Sequence, residues 1–195
     1  LDISGLNERI AEMVDKLESG VVDLTPTPVQ APVTREYLEG QIVKLAEYET
    51  SIGKTGDYVE ARHENIRIGT EKFDKLIIKS GEQVSFNKVA GKRTTKNGYK
   101  EATEYAGTTV TTGVGGGVCQ ASTTIYGAVI RAGLEIVERH PHTMTVKYVE
   151  ASQDAAVSND DKNLKFKNNT EYPVYLEAYA SGGQLVVNLF GHEVH

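Results

Sequence analysis

The chain has a single cysteine, Cys119, among 195 residues. One thiol excludes an intrachain disulfide, so Cys119 is not a covalent staple. Structural zinc is excluded as well, because it requires four Cys or His ligands at tight spacing and no such set is present. Basic residues are also short, with 21 Lys and Arg against 27 Asp and Glu and a net charge of −6. That balance offers no cationic surface to displace counterions from nucleic acid. No apolar run approaches the roughly 18 residues needed to span a bilayer, and there is no internal repeat or low-complexity tract. An initiator methionine and a leader are missing too. The opening LDISGLNERI reads as the middle of a longer protein, so the missing leader says nothing about compartment. What is present is ordinary for a globular chain: 39% hydrophobic and 25% charged residues. The length suffices for one well-filled core, or one domain plus a fragment of another.

Along the chain, Leu6, Ile10, Met13, Val14 and Leu17 share a helical face over 5–18, with Ser4 as cap and Gly20 as stop. Residues 21–33, VVDLTPTPVQAPV, are too Pro-rich for helix and read as extended. Residues 1–33 are therefore expected to be the tail of an upstream domain. Thr34 opens a second predicted helix carrying Tyr37, Leu38, Ile42 and Leu45, and TSIGKTGD completes a helix-and-linker region over 34–57. The main domain is expected over 58–195. It begins with a helix over Val59–Phe73, then LIIKSGEQVSFN as strand with a Ser80-Gly81 turn, and Asn97-Gly98 as a further turn. GTTVTTGVGGGV precedes a helix over 119–132 with Ala121, Ile125, Ala128, Val129 and Ala132 on its apolar stripe. LEIVERH, HTMTVKYV, LKFKNN, YPVYLEAYA and QLVVNLFG then read as strands, the last two joined at Ser181-Gly182-Gly183. The expected fold is α+β: an antiparallel, partly curved sheet with the Cys119 helix packed on it.

Glycines 113, 115, 116 and 117 lead directly into Cys119 in the first turn of that helix. The unpaired N–H groups and positive end of a helix favour thiolate over thiol, so a lowered pKa is expected. Gly116 and Gly117 admit a substrate backbone, and the free amides there can bind an oxyanion. Gln120, Ser122 and Thr123 add side-chain donors. A phosphate loop fails on detail, because no lysine ends the glycine run. A glycine turn that only lets the helix pack closely is the plainer alternative. A nucleophilic thiol needs a base, and His140-Pro141-His142 supplies two candidates expected on one strand face. His142 is preferred, with His140 as alternative. Asp154 is the expected orienting partner, ahead of Asp160, Asp161 and Asn168. Among Arg62, Arg67 and Arg93, Arg93 is the best placed to hold a substrate carboxylate.

These residues support a resemblance. The stretches GEQVSFNKVAGKRTTKNGYKEA, GVGGGVCQASTTIYGAVIRAGLEIVERHPHTMTVKYV, DAAVS and LKFKNNTEYPVYLEAY, in that order, resemble the VanW domain over roughly Tyr58 to Gly191. The one small departure is QASTT, where valine is commoner after the glutamine. Residues 1–33 are similar to the end of the peptidoglycan-binding domain that often precedes a VanW domain. The resemblance implies an extracytoplasmic bacterial protein at the cell-wall face of the membrane, tethered in its full-length form by an N-terminal helix. It also implies peptidoglycan stem peptides as partners. Some VanW members are regarded as L,D-transpeptidases that form 3-3 crosslinks through the motif cysteine, here Cys119. The alternatives kept are a cysteine peptidase or carboxypeptidase on stem peptides, and a non-catalytic wall-binding or glycopeptide-resistance accessory module. No metal, cofactor or nucleic acid is expected, and a monomer is.

Overall fold

The computed structural model describes residues 6–17, 19–20, 42–53, 59–106 and 109–193. The chain divides into two compact units, 1–40 and 41–195. The first contributes one described helix, α1 (Leu6–Asp15), inside the span expected from its apolar spacing. The expected Pro-rich strip 21–33 and the start of the helix expected from Thr34 lie outside the described residues.

From Ile42 onward, the expected helix is instead strand β1 (Ile42–Ser51). It pairs antiparallel with the last strand, from Ile42 opposite His192 to Ser51 opposite Gln184. IVKLAEYETS satisfies both periods: Ile42 and Leu45 fit a helix, while Ala46, Tyr48 and Thr50 alternate inward as a strand does. Pairing with a distant segment decides between them, as local pattern cannot. Strand β1 thus belongs to the compact unit 41–195.

The remaining elements are α2 (Val59–Glu71), β2 (Leu76–Ile78), β3 (Gln83–Ser85), α3 (Phe86–Ala90), β4 (Glu101–Ala106) and β5 (Thr109–Val114). Then come α4 (Val118–Arg131), β6 (Glu135–Glu138), β7 (Lys165–Lys167), β8 (Val174–Ser181) and β9 (Gln184–His192). All described strand pairs are antiparallel, and the class is α+β. The strands form three open sheets, β1-β9-β8-β2, β3-β7-β6 and β4-β5. The turn at Ser80-Gly81 does not close a hairpin. It sends β2 to β8 and β3 to β7, in different sheets.

HTMTVKYV is not a strand. Residues 139–164 are irregular, although Val146 is buried between exposed Thr145 and Lys147. The alternation is present, but no strand pairs with this segment among the described residues. α4 lies across β1 and β9 with Ala121, Ile125, Ala128 and Val129 fully buried. Ten of its 14 residues are buried, so it is enclosed on nearly every side rather than along one stripe. A polar seam fixes it to β1. Gln120 Nε2 donates to Thr50 Oγ1 (2.9 Å) and Ser51 O (2.8 Å), and the Thr50 and Thr124 hydroxyls meet at 2.8 Å. Such groups are tolerated in a core because they are hydrogen-bonded.

Candidate active site

Cys119 is the second residue of α4. Its thiol meets an extended strip, residues 154–157, that runs along the helix. Cys119 Sγ donates to Val157 O at 3.2 Å and accepts from Val157 N at 3.5 Å. One turn on, Thr123 Oγ1 accepts from Ala155 N at 3.0 Å. The spacings match, since four helical residues rise about 6 Å and two extended residues about 6.6 Å. This accounts for the DAAVS motif, whose Ala155, Ala156 and Val157 are buried against the helix.

Ahead of the helix, Gly117 is the N-cap in the left-handed region, with φ 105°. Gly116 lies so close to β4 that a Cβ would stand 2.5 Å from the carbonyl oxygens of Ala102 and Thr103. The Gly115, Gly116, Val118 and Gln120 amides are spent on Lys100, Gly113, Gly115 and Gly117 carbonyls. Among the described residues, the Gly117 and Cys119 amides have no backbone acceptor. The amides of the turn left free are thus those of Gly117 and Cys119, and not that of Gly116. Burial pushes the Cys119 thiol up from its ordinary pKa. The Val157 backbone bond and the charges of Arg93 and Lys162 oppose this without reversing it. The expected lowering at the helix terminus is outweighed by desolvation.

His142 is held by Asp154. The His142 backbone N and ring Nδ1 both reach Asp154 Oδ2 at 2.6 Å. Arg139 secures the same residue, with Nη2 on Asp154 Oδ1 (3.0 Å) and Nε on Asp154 O (2.7 Å). The Arg139 guanidinium in turn lies 5.5 Å from the ring centroid of Tyr126, on α4. One helix therefore carries Cys119 and steadies the acid behind His142. Burial works against the Asp154 carboxylate, but the His142 N–H and ring and the Arg139 charge win and hold its pKa below the ordinary value. In a neutral ring that donates Nδ1–H to the carboxylate, Nε2 is the acceptor. Cys119 and His142 line one cleft of about 490 Å³ and also a recess of about 210 Å³.

The other expected residues fall in different places. His140 turns to Glu138 on β6 (Nε2 to Oε1, 3.0 Å) and does not line the cleft. The segment is not a strand, so the two histidines need not share a face. Gln120 lines the cleft, but its amide is committed to Thr50, Ser51 and Arg62. Ser122 is fully buried with no partner for its hydroxyl among the described residues, and does not line the cleft. Thr123 is fully buried and bonded to Ala155. Asn168 is a buried clamp on Ile78 and Tyr172 carbonyls, and Asp161 bonds Ser158 Oγ at 2.6 Å. Arg67 is paired on the surface with Glu64 and Glu71. Arg62, Arg93 and Asp160 line the cleft.

Tyr148 was not anticipated. It lines the cleft with Cys119 and shares a hydrogen bond with Thr123, and burial pushes its phenol pKa up. In sequence, KYV reads only as a strand aromatic, so no local signal distinguishes it. Among the described residues no three His, Cys, Asp or Glu side chains cluster as a metal site, and no helix is long and apolar enough to cross a membrane.

The family model described as VanW like protein matches residues 61–190. The chain is 34% identical over 176 residues to the uncharacterized protein YoaR of Bacillus subtilis (strain 168), covering 87% of this chain and 57% of that one. It is 27% identical over 130 residues to the vancomycin B-type resistance protein VanW of Enterococcus faecalis (strain ATCC 700802 / V583), covering 64% and 47%. The chain thus spans about half the length of these curated relatives. No solved structure matches it.

Proposed function

The chain belongs to the VanW-like family, and from that premise and the surroundings of its thiol we propose a cysteine acyltransferase acting on cell-wall stem peptides. The specific reading is an L,D-transpeptidase that forms 3-3 crosslinks through a thioester. The observation carrying it is that His142, held by Asp154, shares one cleft with Cys119, with two backbone amides unspent at the thiol. The name of the enterococcal relative ties that protein to vancomycin resistance. Carried over, it supports a cell-wall role, and with it an extracytoplasmic location and a membrane tether in the full-length protein.

In this mechanism the resting thiol is protonated, as its raised pKa requires. His142 Nε2 takes the thiol proton as sulfur adds to the scissile carbonyl. The carbonyl oxygen, now negative, is met by the Cys119 and Gly117 amides and by the Tyr148 hydroxyl. The C–N bond breaks, His142 protonates the leaving amine, and the acyl group stays on sulfur as a thioester. An acceptor amine then adds, gives its proton to His142, and the C–S bond breaks to restore the thiol. Two openings onto Cys119 suit two substrates, and water in place of the amine gives a carboxypeptidase.

The test is intact-protein mass spectrometry after incubation with disaccharide-tetrapeptide fragments, or with a carbapenem as thiol-acylating probe. The expected result is an adduct lost in Cys119→Ala, with D-alanine release and dimer formation. A folded chain that forms no adduct and turns nothing over overturns the reading. The enclosed, proton-bearing thiol favours a second reading in that event, a wall-binding accessory module in which Cys119 is packing.

A further inference from the structure

Arg93 is buried, with 6% of its surface exposed, and it lines the cleft that holds Cys119. Its Nη1 donates to Asn87 Oδ1 (2.8 Å) and Gly91 O (3.2 Å). Its Nη2 is buried with no acceptor among the described residues, and no carboxylate pairs with the guanidinium there. Burying an unpaired cation is costly, and folded proteins rarely retain one without a partner.

The rest of the residue is immobilised. Asn159 accepts from Arg93 N (2.9 Å) and donates to Arg93 O (3.3 Å). The Arg93 stem packs on Gly115, where a Cβ would come within 2.8 Å of Arg93 Cβ. Asn87 is itself oriented by donating to Ser158 O (3.0 Å) and Lys162 O (2.9 Å). Nη1 is therefore spent on structure, while Nη2 is left without an acceptor among the described residues. An arginine held this way matches the planar oxygens of a carboxylate.

We propose that Arg93 forms a carboxylate subsite of the cleft, taking the free terminal carboxylate of the amino acid that leaves when Cys119 is acylated. This rests on the acyl-transfer reading for the identity of the leaving group. As the scissile C–N bond breaks, the acyl carbon remains on sulfur. The amine takes its proton from His142 and departs with its carboxylate on Arg93. A peptide capped at that end leaves Nη2 buried and unpaired, and is bound more weakly.

The test uses this chain with Cys119→Ala, which cannot be acylated, and two probes: a stem tetrapeptide ending in a free D-alanine carboxylate and the same peptide as its terminal amide. Titration calorimetry is expected to show the acid bound about 10- to 100-fold more tightly, the range of a charge-assisted hydrogen bond. Adding Arg93→Gln should bring the acid to within about threefold of the amide and leave the amide unchanged. Equal binding of the two probes to Cys119→Ala, or no measurable binding of the acid, overturns the subsite without recourse to any Arg93 variant. Equal binding is also what a guanidinium serving only as counter-ion to the sulfur would give. An acid preference that survives Arg93→Gln overturns it as well. Acid preference together with a wild type that forms no acyl adduct keeps the subsite and rejects the acyl-transfer reading alone.

Discussion

Asp154→Ala is the most informative single change. The carboxylate, with 9% of its side chain exposed, accepts two hydrogen bonds from His142 and one from Arg139. Deleting it leaves His142, 8% exposed, and Arg139, 22% exposed, without their acid. Removing one partner of a buried pair costs about 3–5 kcal/mol. For a unit of about 150 residues, each kcal/mol shifts Tm by about 2–4 °C, so the expected drop at pH 7 is about 6–20 °C. The sign with pH follows from the lowered carboxyl pKa. Its contribution is complete above the unfolded value near 3.9 and is lost as pH falls through the lower folded value. The wild-type and Asp154→Ala midpoints should therefore converge only in that acid range. Asp154→Asn separates stability from chemistry. It keeps the shape and loses less stability, but its amide can donate to Nδ1 and make Nε2 a donor, slowing carbapenem acylation of Cys119 by about 10²-fold or more. Scanning calorimetry across pH, run beside adduct-formation rates, measures both. An Asp154→Ala midpoint within about 2 °C of wild type at pH 7, or an Asn variant acylated at the wild-type rate, would refute the assignment of Asp154.

Three further expectations concern other parts of the cleft. Tyr148→Phe should slow acyl-adduct formation by about 10²- to 10³-fold, as loss of one oxyanion donor does, while barely moving Tm; an unchanged rate removes Tyr148 from the mechanism. Because burial raises the Cys119 pKa, iodoacetamide labelling should keep accelerating above pH 8.5, the ordinary thiol value. The folded state keeps a proton that the unfolded thiol releases, so the Cys119 contribution to stability should fall as pH rises past that value; a labelling rate already level at neutral pH contradicts both. Gln120→Ala leaves Thr50 and Arg62 without their amide partner and should cost about 1–3 kcal/mol. Urea unfolding with a lower midpoint and unchanged m checks it.

The helix after the glycine run was legible because an apolar stripe of period 3.6 and a glycine at each end specify it locally. Its observed span, Val118–Arg131, differs from the expected one by a residue at each end. The hairpin at Gly182-Gly183, both at positive φ, was legible for the same reason. β1 was misread because a segment that satisfies two periods is settled by its partner, here β9, more than 130 positions away. HTMTVKYV failed in the opposite sense: the pattern of a strand is present, but no strand pairs with it among the described residues.

At the candidate site, composition and spacing alone single out Cys119, set it in the first turn of a helix, and reduce the bases to a histidine pair. Those are properties of neighbouring residues, which sequence carries directly. That the His142 ring, and not the His140 ring, meets Asp154 depended on a contact across twelve residues of irregular chain. The pKa of the thiol depended on its burial in the folded chain, and the placement of Arg93 on loops that Asn87 and Asn159 tie together. Solvation and long-range contact belong to the folded surface rather than to any local stretch, and for that reason tertiary structure alone decided them.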